Sequence, residues 1–202
     1  MLKQKKQALP LDLNRKLNIA HINICTETEG PYKRMAIWFQ GCNILCQDCC
    51  NPELQEIRVA HIMTIQDILN IAIESRQKNG IEGITFLGGE PTLQKGLSDL
   101  ANILSKEGFG IILFTGKRYE CLSDKIKASM DLVVDGKYEK EMPDEDRNLV
   151  GSKNQRIIYA SDRYKKNSSW FTYKREKKVE INLSENLFIN GDVVWTSYSC
   201  SK

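Results

Sequence analysis

The sequence predicts an α/β protein built as a partial, open (β/α) barrel with a small C-terminal appendage. Three observations carry that prediction. Short apolar runs alternate with helical apolar spacing in a βαβ rhythm, which builds a mostly parallel sheet with right-handed crossovers. Polar elements fall where the apolar runs end, at 41–52, 88–91, 115–116 and 135–137. The carboxyl ends of parallel strands are where such folds keep their sites. A closed eightfold barrel takes ~250 residues, and only about five or six repeats fit before residue 160.

The elements follow in order. Residues 1–16 are polar and lysine-rich and read as an N-terminal arm. Leu17-Asn18-Ile19-Ala20-His21-Ile22-Asn23-Ile24 alternates apolar and polar positions, a strand signal. Gly30-Pro31 marks a turn, and Lys33 and Arg34 read as a solvated strand start. Met35-Ala36-Ile37-Trp38-Phe39 is a continuous apolar run, fitting a strand buried on both faces. Residues 51–62 have no clean period. Thr64 with Asp67 resembles a capping box, and Ile65, Ile68, Leu69, Ala72 and Ile73 then fall at helical spacing, predicting a helix over 64–77 that ends at Asn79-Gly80. Strands follow at 84–87, 111–114, 132–134 and 156–159, with helices near 97–107 and, more weakly, 119–130 between them. The core domain is thus 17–160. Residues 161–202 form a basic and aromatic connector with a small hairpin at 179–183 and 187–189; Arg163, Lys165, Lys166, Lys174, Arg175, Lys177 and Lys178 interleave there with Tyr164, Trp170, Phe171 and Tyr173. No nucleic-acid module signature accompanies that charge, so the expectation is a connector packed on the core and no nucleic-acid partner.

Composition bounds the function class. The chain has 202 residues, 41% hydrophobic and 27% charged, with a net charge of +3 that argues for no particular partner. No apolar run approaches the ~20 residues of a membrane span. The basic start Met1-Leu2-Lys3-Gln4-Lys5-Lys6 is not followed by an apolar segment and cleavage site, so the expectation is a cytoplasmic protein without a secretory signal. In that reducing compartment, seven cysteines point to metal or redox chemistry before disulfides.

Three of them, Cys42, Cys46 and Cys49, form a C-x3-C-x2-C array directly after the 35–39 run. Closely spaced thiolates on an irregular loop can converge on one inorganic centre. Closed structural sites usually take four ligands, so three point to an iron–sulfur cluster with one iron open to a substrate or cofactor. Cys50 adjoins Cys49, and adjacent side chains diverge, which sets Cys50 outside the cluster. A closed zinc site of Cys42, Cys46, Cys49 and Cys50 is the competing reading. Cys25, Cys121 and Cys200 are isolated thiols, and His21 and His61 read as ordinary residues rather than ligands. At 88–91, Gly88 and Gly89 let backbone approach a ligand, their peptide groups can bind an ammonium or carboxylate, Glu90 supplies an anion and Pro91 stiffens the turn.

Trp38-Phe39-Gln40-Gly41-Cys42, Cys46 and Cys49, followed by Gly88-Gly89-Glu90-Pro91, resemble the radical S-adenosylmethionine (SAM) superfamily. Glu29-Gly30-Pro31, Val134-Asp135-Gly136-Lys137 and Gly151-Ser152-Lys153-Asn154-Gln155 narrow the resemblance to the activating enzymes of anaerobic ribonucleotide reductase. It runs from about Leu17 to Tyr159. The resemblance implies a partial barrel of the radical SAM type, in which Cys42, Cys46 and Cys49 hold three irons of a 4Fe-4S cluster. The fourth iron would take the amine and carboxylate of S-adenosyl-L-methionine, and reductive cleavage would yield a 5′-deoxyadenosyl radical. No catalytic residue beyond cluster and cofactor is implied. Gly88, Gly89, Glu90 and Pro91 would bind the cofactor, with Thr115, Asp135 and Lys137 near it, the last two beside a cation site. The implied partners are a glycyl-radical enzyme such as anaerobic ribonucleotide reductase and a flavodoxin or ferredoxin-type electron donor. Asp48 stands where many members carry an aromatic that contacts the adenine. Competing functions are a radical enzyme acting on a small molecule, as the 7-carboxy-7-deazaguanine synthases do, or on a peptide, and, from another class, a metal-stabilised binding module.

Overall fold

Seven strands hydrogen-bond into one open sheet in a computed structural model that describes residues 12–172, 178–183 and 187–191. They are β1 (Lys16–Thr26), β2 (Arg34–Phe39), β3 (His61–Thr64), β4 (Gly83–Gly88), β5 (Gly110–Thr115), β6 (Leu132–Asp135) and β7 (Arg156–Tyr159), in the order β3-β1-β2-β4-β5-β6-β7. The central strands β2, β4, β5 and β6 are parallel. Both flanks are antiparallel, β1 with β2 and β3 on one side and β7 with β6 on the other. The sheet is therefore more mixed than the mostly parallel one expected. A parallel pair needs a crossover of about a dozen or more residues, usually helical. The 27–33 connection is too short for one. The 136–155 connection is long enough but forms no helix, and it folds back on itself through a bridge between Pro143 and Ser152.

The helix predicted over 64–77 is α1 (Ile65–Asn79), and its capping box is complete with Asp in place of Glu or Gln. The Asp67 amide donates to Thr64 Oγ1 at 3.1 Å, and the Thr64 amide donates to Asp67 Oδ2 at 2.9 Å. Gly80, left-handed at φ 71°, ends it. Leu97, Leu100, Ala101 and Leu104 lie on the buried side of α2 (Leu97–Lys106). The helix predicted over 119–130 shrinks to α3 (Asp124–Lys127), preceded by a 3-10 turn at Tyr119–Cys121. Ser123 caps α3, and a capping residue takes extended backbone, so no helix can run through it. A last short helix is α4 (Ser168–Thr172). None of these helices is long and apolar enough to cross a membrane.

Side-chain alternation splits the core in two. Met35, Ile37, Phe39, Ile84, Phe86, Ile111 and Leu113 face α1 and α2 in the main cluster. Their neighbours point the other way, into two smaller clusters. One gathers Ile112, Leu132 and Val134 with Tyr164 and Phe171; the other gathers Ala36, Trp38 and Leu87 with Leu54. Burial on both faces explains why these strands read as continuous apolar runs. β8 (Val179–Leu183) and β9 (Leu187–Gly191) pair as the expected hairpin. Residues 1–11, Tyr173, Lys174, Arg175, Lys177 and Cys200 lie outside the described residues.

Arg34 corrects the solvated strand start, for it has no exposure at all. Its Nε donates to Thr85 Oγ1 at 2.8 Å, Nη1 to Glu82 Oε2 at 3.0 Å and Tyr164 Oη at 2.7 Å, and Nη2 to the carbonyls of Ile84 and Gly110 at 2.9 and 2.8 Å. Arg163 closes the other side of Glu82 at 2.6 Å. Desolvation of a cation is costly unless every donor is met, and here all the nitrogens have partners. Replacing Arg34 with Met should therefore destabilise the chain by about 3–5 kcal/mol, read from urea unfolding of the metal-free protein. A loss under about 1 kcal/mol would show that the network contributes little.

Candidate active site

The cysteine loop leaves β2 through Gly41, which takes φ 96°. Residues 54–55 hold it alongside: the Gly41 and Cys42 amides donate to the Leu54 and Gln55 carbonyls at 3.0 and 3.1 Å, and Gln55 Nε2 donates to the Cys46 carbonyl at 3.2 Å. Leu45 and Asp48 both adopt φ 51°, so the chain reverses twice between the three cysteines. A left-handed non-glycine residue costs roughly 1–2 kcal/mol, least for Asp, and such strain clusters at functional loops.

Two of the three cysteines receive a main-chain donor: the Ile44 amide points at Cys42 Sγ and the Asn51 amide at Cys49 Sγ, both at 3.4 Å. N–H groups aimed at sulfur favour the thiolate, the form that binds metal. Cys46 also feels the charges of Cys42 and Cys49. Burial pushes its thiol up against the opposing pull of the Tyr138 amide. Cys50 is exposed, receives Asn51 Nδ2 at 3.4 Å and shares a hydrogen bond with Cys49 that lowers the Cys49 thiol and raises its own. Among the described residues no three His, Cys, Asp or Glu side chains are gathered tightly enough for a single ion. One tetrahedral zinc with ~2.3 Å Zn–S bonds needs such a tight group. A cluster takes one thiolate per iron and so fits sulfurs set further apart. Three thiolates on one loop suit a cluster, which takes one thiolate per iron.

The 88–91 turn lies directly on this loop. The Gly89 amide donates to the Phe39 carbonyl at 2.8 Å and the Glu90 amide to the Gly41 carbonyl at 2.9 Å. A Cβ on Gly89 would stand 2.3 Å from the Gly41 carbonyl oxygen, and Gly88, at φ 108°, meets Phe39 as closely. The glycines are thus required by backbone contact within the protein. Both amides are spent inside the protein, and the Glu90 and Pro91 carbonyls accept from the Leu93 and Gln94 amides at 3.1 and 3.0 Å.

Glu90 is 1% exposed and its carboxylate accepts four bonds from within the protein. Oε1 accepts from the Thr92 amide at 3.0 Å, Thr92 Oγ1 at 2.6 Å and Thr115 Oγ1 at 2.8 Å, and Oε2 from the Gly116 amide at 2.9 Å. Two of the expected cofactor residues, Glu90 and Thr115, therefore bond each other and tie the end of β4 to the end of β5. Gly116 in turn lies against Ile44 of the cysteine loop.

Asp135 and Lys137 part company. Asp135 is fully buried, accepting from the Tyr119 amide at 2.6 Å and Arg156 Nε at 2.9 Å, with Arg118 at 3.8 Å. Burial alone would raise this carboxyl, but Arg156, the Tyr119 amide and Arg118 hold it below its ordinary value. A depressed carboxyl stabilises the fold above its unfolded value and loses that contribution as pH falls through the folded one. Lys137 is exposed and acts electrostatically on Cys46. Asp48, without the expected aromatic, pairs with Lys140. Residues 138 and 140 carried no local signal, because they reach the loop only through the long β6–β7 connection. Thr92 did carry one, a hydroxyl two residues after Glu90. Replacing Glu90 with Ala would strand four donors, and the expected loss is about 2–4 kcal/mol in urea unfolding. An unchanged midpoint would show that the carboxylate is not the brace described.

Residues 28–158 match the family model described as a 4Fe-4S single cluster domain. The anaerobic ribonucleoside-triphosphate reductase-activating protein of Enterobacteria phage T4 is 29% identical over 152 residues, which is 72% of this chain and 96% of that protein. The pyruvate formate-lyase 1-activating enzyme of Escherichia coli K12 is 30% identical over 141 residues, and the match spans 66% of this chain but only 56% of the enzyme. A 7-carboxy-7-deazaguanine synthase of Clostridium acetobutylicum is 39% identical over 70 residues, 34% of this chain. With these relatives come a 4Fe-4S cluster and S-adenosylmethionine as cofactors. The chain belongs to the 4Fe-4S single cluster domain family, and within it to the radical S-adenosylmethionine proteins related to the activating enzymes.

Proposed function

We propose that the chain is an activating enzyme that installs a glycyl radical on an anaerobic ribonucleotide reductase, with a flavodoxin or ferredoxin-type protein as electron donor. The observation that carries this reading is the near-complete span of the phage reductase-activating protein, against one third of this chain shared with the deazaguanine synthase. The rim supports it. Leu45 on the cysteine loop and Ile57 and Val59 just beyond it are 60%, 77% and 72% exposed, and Ile57 lies beside Gly41. Exposed apolar groups gathered at a site suit a macromolecular substrate.

In this reading Cys42, Cys46 and Cys49 bind three irons and leave the fourth to the cofactor. When bound, cluster and cofactor supply one-electron reductive cleavage of a carbon–sulfur bond, the source of the hydrogen-abstracting power. The chain's own part is positional. The amides of Ile44 and Asn51 hold the Cys42 and Cys49 sulfurs, the carbonyls of the 88–91 turn receive the cofactor ammonium, and Glu90 with Thr115 keeps that turn level with β5. Lys137 adds positive charge beside Cys46. Asp135 serves the frame through Arg156.

Anaerobic reconstitution should load about four irons per chain, and reduction with S-adenosylmethionine should release 5′-deoxyadenosine. Cys42→Ala, Cys46→Ala and Cys49→Ala should each abolish that release, while Cys50→Ala should retain it; a dead Cys50 variant with intact fold would overturn the ligand assignment. Incubated with the reductase of the same organism, the loaded enzyme should produce a glycyl radical by electron paramagnetic resonance. Active cofactor cleavage without that signal would shift the reading to a small-molecule or peptide substrate.

A further inference from the structure

Four cations stand on the rim beyond β5 and β6: Lys117 and Arg118 follow β5, Lys137 follows β6, and Lys153 precedes β7. Hydrogen bonds hold the chain at these positions side by side. The Gly136 amide donates to the Lys117 carbonyl at 3.2 Å, Arg118 Nη1 to the Asn154 carbonyl at 3.3 Å, and Asn154 Nδ2 to the Lys137 carbonyl at 2.7 Å. The group adjoins the cysteine loop at two points. A Cβ on Gly116, next to Lys117, would stand 2.7 Å from Ile44, and Lys140 pairs with Asp48. Ile44 and Asp48 both lie between cysteines of the array.

Neighbouring carboxylates do not neutralise this group. Asp135 and Glu120 are paired with Arg156, Asp144 with Arg147 and Asp48 with Lys140. Arg118 reaches Asp135 only at 3.8 Å and keeps 49% of its side chain exposed. Among the described residues, Lys117, Lys137 and Lys153 make no ion pair. Glu139 and Glu141 add two exposed carboxylates, so the four cations leave this flank with a surplus of positive charge. The apolar residues of the rim lie on the other flank, where Asn18 of β1 holds the Arg58 carbonyl at 2.7 Å and the Ala60 amide at 2.9 Å.

We propose that Lys117, Arg118 and Lys153, with Lys137 at their inner border, form the docking surface for an acidic one-electron carrier protein. This rests on the reading of Cys42, Cys46 and Cys49 as cluster ligands. Electron transfer between proteins falls steeply with distance, so a carrier must land against the cysteine loop. It must also leave again, and such encounters are small and steered by charge more than held by apolar contact. Unpaired lysines beside the loop draw a negative surface in and release it readily. The carrier is oxidised by one electron, which the cluster takes up, with no bond made or broken. The apolar flank stays open to the protein that carries the glycine.

Binding and turnover on the full chain test it, with an acidic flavodoxin as the probe. Titrated into the metal-free chain at about 0.03 M ionic strength, flavodoxin should bind Lys117→Glu and Lys153→Glu at least about threefold more weakly than wild type, and the double variant at least about tenfold more weakly. Raising ionic strength to about 0.3 M should weaken the wild type by a larger factor than the double variant. Lys106→Glu makes the same charge change at the exposed end of α2, by the start of β5, and should bind as the wild type does. With cluster and cofactor loaded, 5′-deoxyadenosine release driven by limiting reduced flavodoxin should fall at least about fivefold in the double variant, while release driven by dithionite keeps the wild-type rate. A wild type that does not bind flavodoxin, or folded variants that bind it equally well, would overturn the docking surface. An equal loss in Lys106→Glu would reduce the effect to net charge and overturn it too, as would a loss confined to the KM for the reductase. A wild-type chain that dithionite cannot drive to cleave the cofactor would instead refute the cluster reading, and the metal-free affinities would still decide the docking surface.

Discussion

A guanidinium with no access to water sets the height of everything at the opposite end of the sheet. Arg34 begins β2, and in the ladder it lies level with Gly83 of β4, which lies level with Gly110 of β5. Its Nη2 bonds carbonyls on the next two strands, β4 and β5. Gly83 is bare because a Cβ there would stand 2.7 Å from the guanidinium and 2.3 Å from the Gly110 oxygen. The three strands are each six residues long. Strands of equal length started level also finish level, so the cysteine loop, the 88–91 turn and Thr115-Gly116 emerge side by side. Glu90 then fastens what Arg34 has aligned, with a buried acceptor in the middle of donors from β5 and the turn after β4.

The two faces of the sheet divide the work. One carries the large continuous cluster under α1 and α2, where stability from apolar burial is concentrated. The other has two smaller clusters, one with Tyr164 and Phe171 and one with Trp38, Leu54 and Leu87. Tyr164 bonds Arg34 directly, so the first of these belongs to the basal end, whereas Leu54 sits beside the loop that carries the cysteines.

What could be read in the sequence is what depends on neighbours in the chain. The capping box, the glycine stop of α1, the cysteine spacing and the strand-end position of 88–91 are all local, and the structure has each of them. Strand direction at the flanks was not legible, because it turns on whether a connection becomes a helix. Arg34 looked like any charged strand start; its partners come from residues 82–85, 110 and 164, and nothing near residue 34 announces them. The contact of Lys140 with Asp48 was hidden for the same reason, since it brings the long β6–β7 connection, a stretch without period, onto the cysteine loop. Glu90 was recognised as important, but its bonds to Thr92, Thr115 and Gly116 join two strand ends and could not be read from the turn alone.

The contact between residues 88–90 and residues 39–41 is made by main chain against main chain. Distances across such a contact are fixed by peptide dimensions and hydrogen-bond length, which no rotamer change can alter. The separation between the cysteine loop and the 88–91 turn is therefore a ruler without adjustable parts. Substitutions in the surrounding core can loosen or tighten the protein while leaving that interval alone, so sequence drift in the rest of the fold need not change the spacing of these two loops.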